Sequence, residues 1–339
     1  MRIAIVTDAW FPQENGVVRV LATLTQRLKH RGHEILLIEP GQFRTIPCPT
    51  YPDIRLAFGV SGDIGRRLDA FAPEALHLPT EGPLGWAARG LALKRGWPFT
   101  SAYHSKFPEY IQARTGLPLS WLYAPVRKFH QASSGVLCPS PSVYRELSER
   151  GFTHLRLWSH GVDTDVFHPQ PKDFLNLARP VHMYVGRVTV EKNLDAFLKL
   201  DLPGSKVIVG SGPARNTLKR RYPKAHFKVA HGDEELSRYF AAADVFVFPS
   251  LTDTFGLVML EAMASGVPVA AFPVTGPLDV LGESKAGVLD WDLANAAGLA
   301  LSIDPSICRA HALGFSWDHV TDQFLDFLAP IGTPERLCA

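Results

Sequence analysis

Cysteine is scarce in this 339-residue chain, and what there is lies apart: Cys48, Cys138, Cys308 and Cys338 show no C-x-x-C spacing. That excludes a zinc or dithiol redox motif and fits reduced thiols in the cytosol. No segment approaches the roughly 20 consecutive apolar residues that span a bilayer, so membrane contact is expected only at the periphery. The N-terminus, Met1 to Trp10, has too short an apolar run for a signal peptide and reads as a first strand. Charge of one sign is lacking too: the net value is +2, which argues against a dedicated nucleic-acid binder. No strand is followed by a complete G-x-G-x-x-G, and this disfavours a nicotinamide-dependent oxidoreductase. There are no short repeats and no low-complexity tract. What remains is ordinary globular composition, 46% hydrophobic and 20% charged, at a length suited to two domains.

Short β-branched runs alternate with helical ones. Arg2–Val6 reads as a strand buried on both faces, Val17–Arg31 as a helix stopped by Gly32, and Glu34–Ile38 as the next strand. Ala75–Leu78, Phe99–Tyr103 and Gly135–Cys138 follow as strands, with helices at Gly85–Lys94 and Ser142–Arg150. Phe167 to Pro180, with Pro169, Pro171 and Pro180, reads as a linker or crossover. The pattern then restarts, with strands at Val181–Val185, Lys206–Val209, His226–Val229, Val245–Phe248 and Val267–Ala271. Helices are expected at Asn193–Lys199, Ala214–Arg221, Glu234–Ala242 and Leu257–Ala264, and the last, Trp317–Leu328, is amphipathic. Such alternation predicts an α/β chain of two doubly wound parallel sheets. The expected domains are 1–168 and 172–314, with a ligand cleft between them.

Thr252 to Val269 carries the strongest chemical signal. Asp253 lies in a loop after a hydrophobic strand, and Glu261 follows after seven residues, well into a helix. Between them, Thr254, Phe255, Gly256 and Leu257 bring backbone N–H groups to a helix start, where phosphate or sugar hydroxyls bind. A nearby carboxylate can accept both hydrogen bonds of a ribose diol. In isolation the pair reads as a helix-capping Asp and a surface Glu. The whole stretch, however, resembles the E-x7-E signature of retaining glycosyltransferases of family 4, which have the GT-B fold, with Asp253 in place of the first Glu. Tyr184 to Asn193 resembles the G-R-x-x-x-E-K-N segment of that family. The resemblance gives Arg187 and Lys192 the donor pyrophosphate and the charge on the departing nucleoside diphosphate; taken alone, they are two solvated cations beside a helix.

Weaker matches extend the resemblance over nearly the whole chain, and it implies that a helix at 316–330 crosses back onto the 1–168 domain. Gly210 and Gly212, in Gly210-Ser211-Gly212-Pro213, resemble a loop near the nucleotide or are simply a βα turn. His231 falls where the family places backbone against the base. Gly16, in Asn15-Gly16-Val17-Val18, resembles the glycine loop after the first strand, and His104, in Ala102-Tyr103-His104-Ser105, the strand-end His beside the transferred sugar. His160-Gly161-Val162-Asp163 resembles an interdomain N-G-V-D segment, so the D-x-D at Asp163 and Asp165 is read as architectural and no metal is assigned.

The resemblance implies transfer of a hexosyl or uronosyl group with retention, from a UDP- or GDP-sugar, by front-face attack, with no cofactor and no protein nucleophile. The catalytic set is then His104, Asp253, Arg187 and Lys192. A non-catalytic nucleotide-sugar-binding subunit is the alternative that Asp253 keeps open. Thr80–Gly85 and Tyr103–Tyr110 are worded most like a subgroup acting on lipids such as diacylglycerol. Arg66 and Arg67, with Trp121, Arg127 and Lys128 in Leu119–His130, mix cations and aromatics; they suit an anionic membrane surface or an ordinary amphipathic helix. The expected location is cytoplasmic, peripheral on the inner face of the membrane.

Overall fold

The computed structural model describes residues 1–13, 15–48 and 51–332; Cys338 lies outside them. The chain forms two compact units, Met1–Ser159 with Asp318–Ala339, and His160–Trp317.

In the first unit the elements are β1 (Arg2–Val6), α1 (Gly16–His30), β2 (Glu34–Ile38), β3 (Thr45–Cys48), β4 (Tyr51–Ala57), α2 (Ser61–Phe71), β5 (Ala75–Leu78) and α3 (Pro83–Arg95). Then come β6 (Thr100–Ala102), α4 (Phe107–Thr115), α5 (Leu119–His130), β7 (Gly135–Cys138), α6 (Pro141–Glu149) and β8 (Leu155–Leu157). The main sheet is parallel, in the order β2-β1-β5-β6-β7-β8, so its direction of growth reverses between β1 and β5. β3 and β4 form a separate antiparallel hairpin.

The second unit holds β9 (Val181–Val185), α7 (Leu194–Leu198), β10 (Ser205–Val209), α8 (Arg215–Arg221), β11 (His226–Lys228), α9 (Gly232–Ala242) and β12 (Val245–Phe248). After them come α10 (Leu257–Ala264), β13 (Val269–Ala271), α11 (Thr275–Leu281), β14 (Gly287–Leu289), α12 (Leu293–Ala300) and α13 (Pro305–Leu313). Its parallel sheet runs β11-β10-β9-β12-β13-β14 and reverses between β9 and β12. The central strands β12 and β13 are wholly apolar because both faces are covered. Met183, Val185, Phe246 and Phe248 enter one core, while Tyr184, Val245 and Val247 enter the other.

A last helix, α14 (Trp317–Phe327), returns to the first unit. Trp158 donates through Nε1 to the Val320 carbonyl at 2.9 Å, and the Phe324 ring meets the His77 ring edge-on at 5.0 Å. Arg27 pairs with Asp318 at 3.0 Å and Arg31 with Asp322.

Two expectations need correction. The first unit ends at Ser159 rather than at residue 168, and the second runs to Trp317 rather than 314. The proline-bearing stretch after Phe167 does not separate the units. Phe167 is buried in the core of the second, and Arg309 on α13 donates to the Phe167, Ala264 and Thr164 carbonyls. Prolines there shape an extended strap whose apolar anchors decide where it belongs.

Candidate active site

In doubly wound sheets, ligands bind beyond the carboxyl ends of the strands where the order reverses. In the second unit that point lies between β9 and β12, and the loops following these two strands carry the strongest sequence matches. After β9, Gly186 and Arg187 lead into a single 3-10 turn, Val190–Lys192. After β12, the chain passes Pro249 and Ser250 to Asp253 and enters α10 at Gly256, which caps that helix in the left-handed region at φ +93°.

The two loops are joined. Lys192 Nζ pairs with Asp253 Oδ1, with both side chains about 15% exposed, and Asn193 Nδ2 donates to the Pro249 carbonyl at 3.1 Å. The other Asp253 oxygen, Oδ2, is buried and meets no hydrogen-bond donor among the described residues. A buried acceptor left in this state costs about 1–3 kcal/mol, which a ligand hydroxyl would recover. Glu261 is buried on α10, at 6% exposure. Asp253 therefore does not cap a helix and Glu261 does not lie on the surface, so the ordinary readings of this acidic pair fail.

Arg187 faces Glu191 at 3.6 Å and remains one-third exposed. Its backbone is fixed from below: the phenol of Tyr184, itself buried, donates to the Arg187 carbonyl at 2.9 Å. Gly210 and Gly212 brace the same loop. A Cβ on Gly210 would lie 2.0 Å from the Gly186 carbonyl oxygen, and one on Gly212 would lie 2.4 Å from that of Val188. Val188 N–H donates to the Ser211 carbonyl at 2.7 Å. These glycines thus have a packing reason that sequence alone did not reveal.

The remaining positions divide. Phe255 is a core residue whose ring packs on His160 at 5.1 Å, so only its backbone is available to a ligand. Thr254 and Leu257 are half-buried. His231 is exposed before α9, after the sheet-edge strand β11, and its N–H is taken by Glu235 Oε2 at 2.7 Å. Asp163 turns its carboxylate back onto the N–H groups of Asp165 and Val166 at 3.1 and 3.2 Å. Among the described residues no group of three or more acidic, His or Cys side chains is placed to hold a metal.

In the first unit, Gly16 opens α1 behind the capping Asn15, whose Oδ1 accepts from the Val18 N–H at 3.1 Å. His104 follows β6, half-buried, with its ring edge-on to Trp158 at 6.1 Å. Arg66 and Arg67 both bond Asp63, and Arg67 also stacks on Phe43. On α5, Trp121 is 70% exposed with Arg127 and Lys128 also outward, whereas Tyr123 and Phe129 are buried. The helix is amphipathic, with its buried aromatics in the core and its cations outward.

Asp8 was missed. It lies just after β1, beside the reversal point of its own sheet. Its carboxylate accepts from Thr80 Oγ1 and from the Leu84 and Gly85 N–H groups at 3.0, 2.9 and 3.2 Å, tying the loop after β1 to that after β5. Burial pushes its pKa up to about 6, outweighing those hydrogen bonds, with Glu81 adding to the rise. The only signal in the sequence is a carboxylate two residues past a largely apolar strand.

Two doubly wound units, the second with a lysine–aspartate pair and a buried glutamate at its reversal point, have the make-up of a GT-B protein. Residues 14–166 match the family described as Glycosyltransferase Family 4, and residues 179–303 match Glycosyl transferases group 1. The GDP-mannose-dependent alpha-mannosyltransferase of Mycobacterium tuberculosis is 30% identical over 96% of this chain and 95% of its own length. The sulfoquinovosyl transferase of Arabidopsis thaliana is 31% identical over 84% of this chain, which spans only 62% of that protein. Among solved structures, the sucrose-phosphate synthase of Thermosynechococcus elongatus superposes with a TM-score of 0.74 at 21% identity, covering 96% of this chain and 97% of that one. The chain belongs to glycosyltransferase family 4.

Proposed function

We propose that the protein transfers a hexosyl or uronosyl group, with retention of configuration, from UDP-glucose, UDP-glucuronate or GDP-mannose to a membrane lipid such as diacylglycerol. The observation that carries the donor side is the Lys192–Asp253 pair with its second carboxylate oxygen unsatisfied, one loop away from Arg187 and two turns before the buried Glu261.

In this reading Asp253 Oδ2 accepts from a hydroxyl of the donor sugar and Glu261 from the ribose. Lys192 and Arg187 stabilise the diphosphate as the glycosidic bond breaks, when its negative charge rises. The α10 N-terminus adds backbone donors near the same charge. His104 contacts the transferred sugar. The acceptor hydroxyl attacks from the face the leaving group vacates, and the departing phosphate takes its proton, so no side chain serves as base. Asp253 is one methylene shorter than Glu and selects a sugar that sits correspondingly closer to its loop.

The lipid acceptor is supported by the relatives. The alpha-monoglucosyldiacylglycerol synthase of Streptococcus pneumoniae is 27% identical over 91% of this chain. No helix among the described residues is long and apolar enough to cross a membrane, so contact with a lipid surface falls to groups such as Trp121, Arg127 and Lys128. The test is incubation with each of the three donors and diacylglycerol micelles, with product lipids read by mass spectrometry. A glycosylated diacylglycerol is expected. Donor binding without any lipid product overturns the acceptor, and absence of donor binding overturns the whole reading.

A further inference from the structure

Ser101, His130 and Glu81 form a line of hydrogen bonds that runs from inside the first unit to its surface. Ser101 is buried on β6, and its Oγ lies 2.8 Å from His130 Nδ1. His130, the last residue of α5, is wholly buried, and its Nε2 lies 2.9 Å from Glu81 Oε1. With the ring proton on Nε2, the imidazole donates to Glu81 and accepts from the Ser101 hydroxyl, so both nitrogens are met. Phe129 clamps the ring edge-on at 5.1 Å, and Phe152 flanks it at 5.9 Å. Arg89 on α3 donates to the Phe129 and Lys128 carbonyls at 3.0 and 2.8 Å, which fixes the end of α5 that carries the ring.

Glu81 is held through its backbone as well. It follows β5, beside the point where the order of the first sheet reverses, and doubly wound units bind ligands at such points. On one side of it, Thr80 Oγ1 accepts from the Asp8 N–H at 2.7 Å and donates to the Asp8 carboxylate at 3.0 Å. On the other, a Cβ on Gly82 would lie 2.3 Å from the Asp8 carboxyl carbon, so the backbone there is pressed against Asp8. Two locked neighbours and a buried imidazole set the direction of the carboxylate. Its side chain is 16% exposed, and Oε2 takes no hydrogen bond among the described residues. Replacing a buried hydrogen-bonded pair by apolar groups of the same shape is near neutral or stabilising, so packing alone gives Ser101 and His130 no reason to be polar. What they achieve is one aimed acceptor oxygen at the ligand end of the sheet.

We propose that Glu81 binds the acceptor, its Oε2 accepting from a hydroxyl next to the one that attacks, with His130 and Ser101 as positioning residues. This rests on the lipid-acceptor reading above and narrows the head group. In that reading the attacking hydroxyl gives its proton to the departing phosphate. A hydroxyl carries only one proton, so the one that Glu81 accepts belongs to a second hydroxyl. The lipid that fits has two neighbouring hydroxyls in its head group, and diacylglycerol, with a single hydroxyl, is used less well.

The test measures transfer to 1-monooleoylglycerol, 3-hydroxypropyl oleate and dioleoylglycerol, with the donor that supports turnover, for the wild type and Glu81→Gln. Thermal unfolding is the folding control. The first two acceptors share one acyl chain and a terminal hydroxyl, and only the first has a hydroxyl beside it. The wild type is expected to favour monooleoylglycerol about tenfold in KM, as one hydrogen bond to a charged group implies. Glu81→Gln keeps the bond from His130 through its amide oxygen and puts a donor where the unbonded acceptor was. It is expected to erase the preference while leaving the unfolding temperature and the donor KM near wild type. His130→Leu is expected to raise the KM for monooleoylglycerol in the same direction, and His130→Gln, whose amide N–H donates to Glu81 in place of the ring, to restore it. If the wild type glycosylates lipid with no preference between the first two acceptors, or the preference survives in Glu81→Gln, the role of Glu81 is overturned and the lipid reading stands. A preference lost in Glu81→Gln but intact in His130→Leu overturns the positioning role alone. If none of the lipids is glycosylated, the lipid reading is overturned and this proposal with it.

Discussion

Each unit sets an aspartate beside the reversal point of a parallel sheet, and the two are treated in opposite ways. Asp8 is sealed in, with its carboxylate spent on Thr80 and the first turn of α3. Asp253 shares one oxygen with Lys192 and keeps the other buried without a donor among the described residues. A carboxylate whose bonds are all met by its own fold is part of the framework; one left half-satisfied beside a lysine is ready for a ligand. Topology alone would rank the two sites equally, and hydrogen-bond satisfaction separates them.

The sharpest way to break this contrast is Lys192→Ala. It should lower kcat/KM by on the order of 1000-fold, as loss of a preorganised electrostatic group does, and weaken nucleoside diphosphate binding by calorimetry. Activity near wild type would place the donor elsewhere. Asp8→Asn should act on stability instead. With its pKa raised from 3.8 to about 6, the folded state favours the protonated form. Its contribution is therefore present in full below about pH 4 and lost as pH rises through 6. Denaturant titrations from pH 4 to 7.5 should show the stability difference moving toward Asp8→Asn by ~3 kcal/mol, with unchanged donor affinity. A pH-independent difference would mean that Asp8 is not the group being titrated. Next in size, Arg127→Gln with Lys128→Gln should cut sedimentation with anionic liposomes roughly 30-fold, at ~1 kcal/mol per surface cation; equal sedimentation would remove α5 from the membrane reading. The smallest effect is expected from Tyr184→Phe, which loses the support under Arg187 at ~1 kcal/mol of stability. The diphosphate affinity should fall with it, and a stability loss with no change in affinity would detach that support from the site.

Much of this was legible because buried parallel strands are written as uninterrupted apolar runs. Val181–Val185 and Val245–Phe248 were read with the bounds the structure has. The hairpin β3–β4 was not, since Pro47 and Pro52, one in each strand, interrupt its two-residue alternation. Lys192 and Asp253 were both named, but their pairing spans 61 positions and no local pattern encodes it. Gly210 and Gly212 were visible as a turn, while their reason, the Gly186–Val188 backbone lying against them, is a matter of tertiary packing. Proline density after Phe167 suggests a linker, and the burial of Phe167 in the second core decides otherwise.

The return of α14 has a consequence for the order of events at the ribosome. His160–Trp317 is an insertion between two parts of the first unit, so it is complete while that unit still lacks its last helix. Domains fold as units as the chain emerges. The half that is synthesised first is therefore the half that finishes last, with Trp158 and His77 waiting for Val320 and Phe324. Released chains truncated after Trp317 should hold a protease-resistant second unit attached to a first that is still digestible.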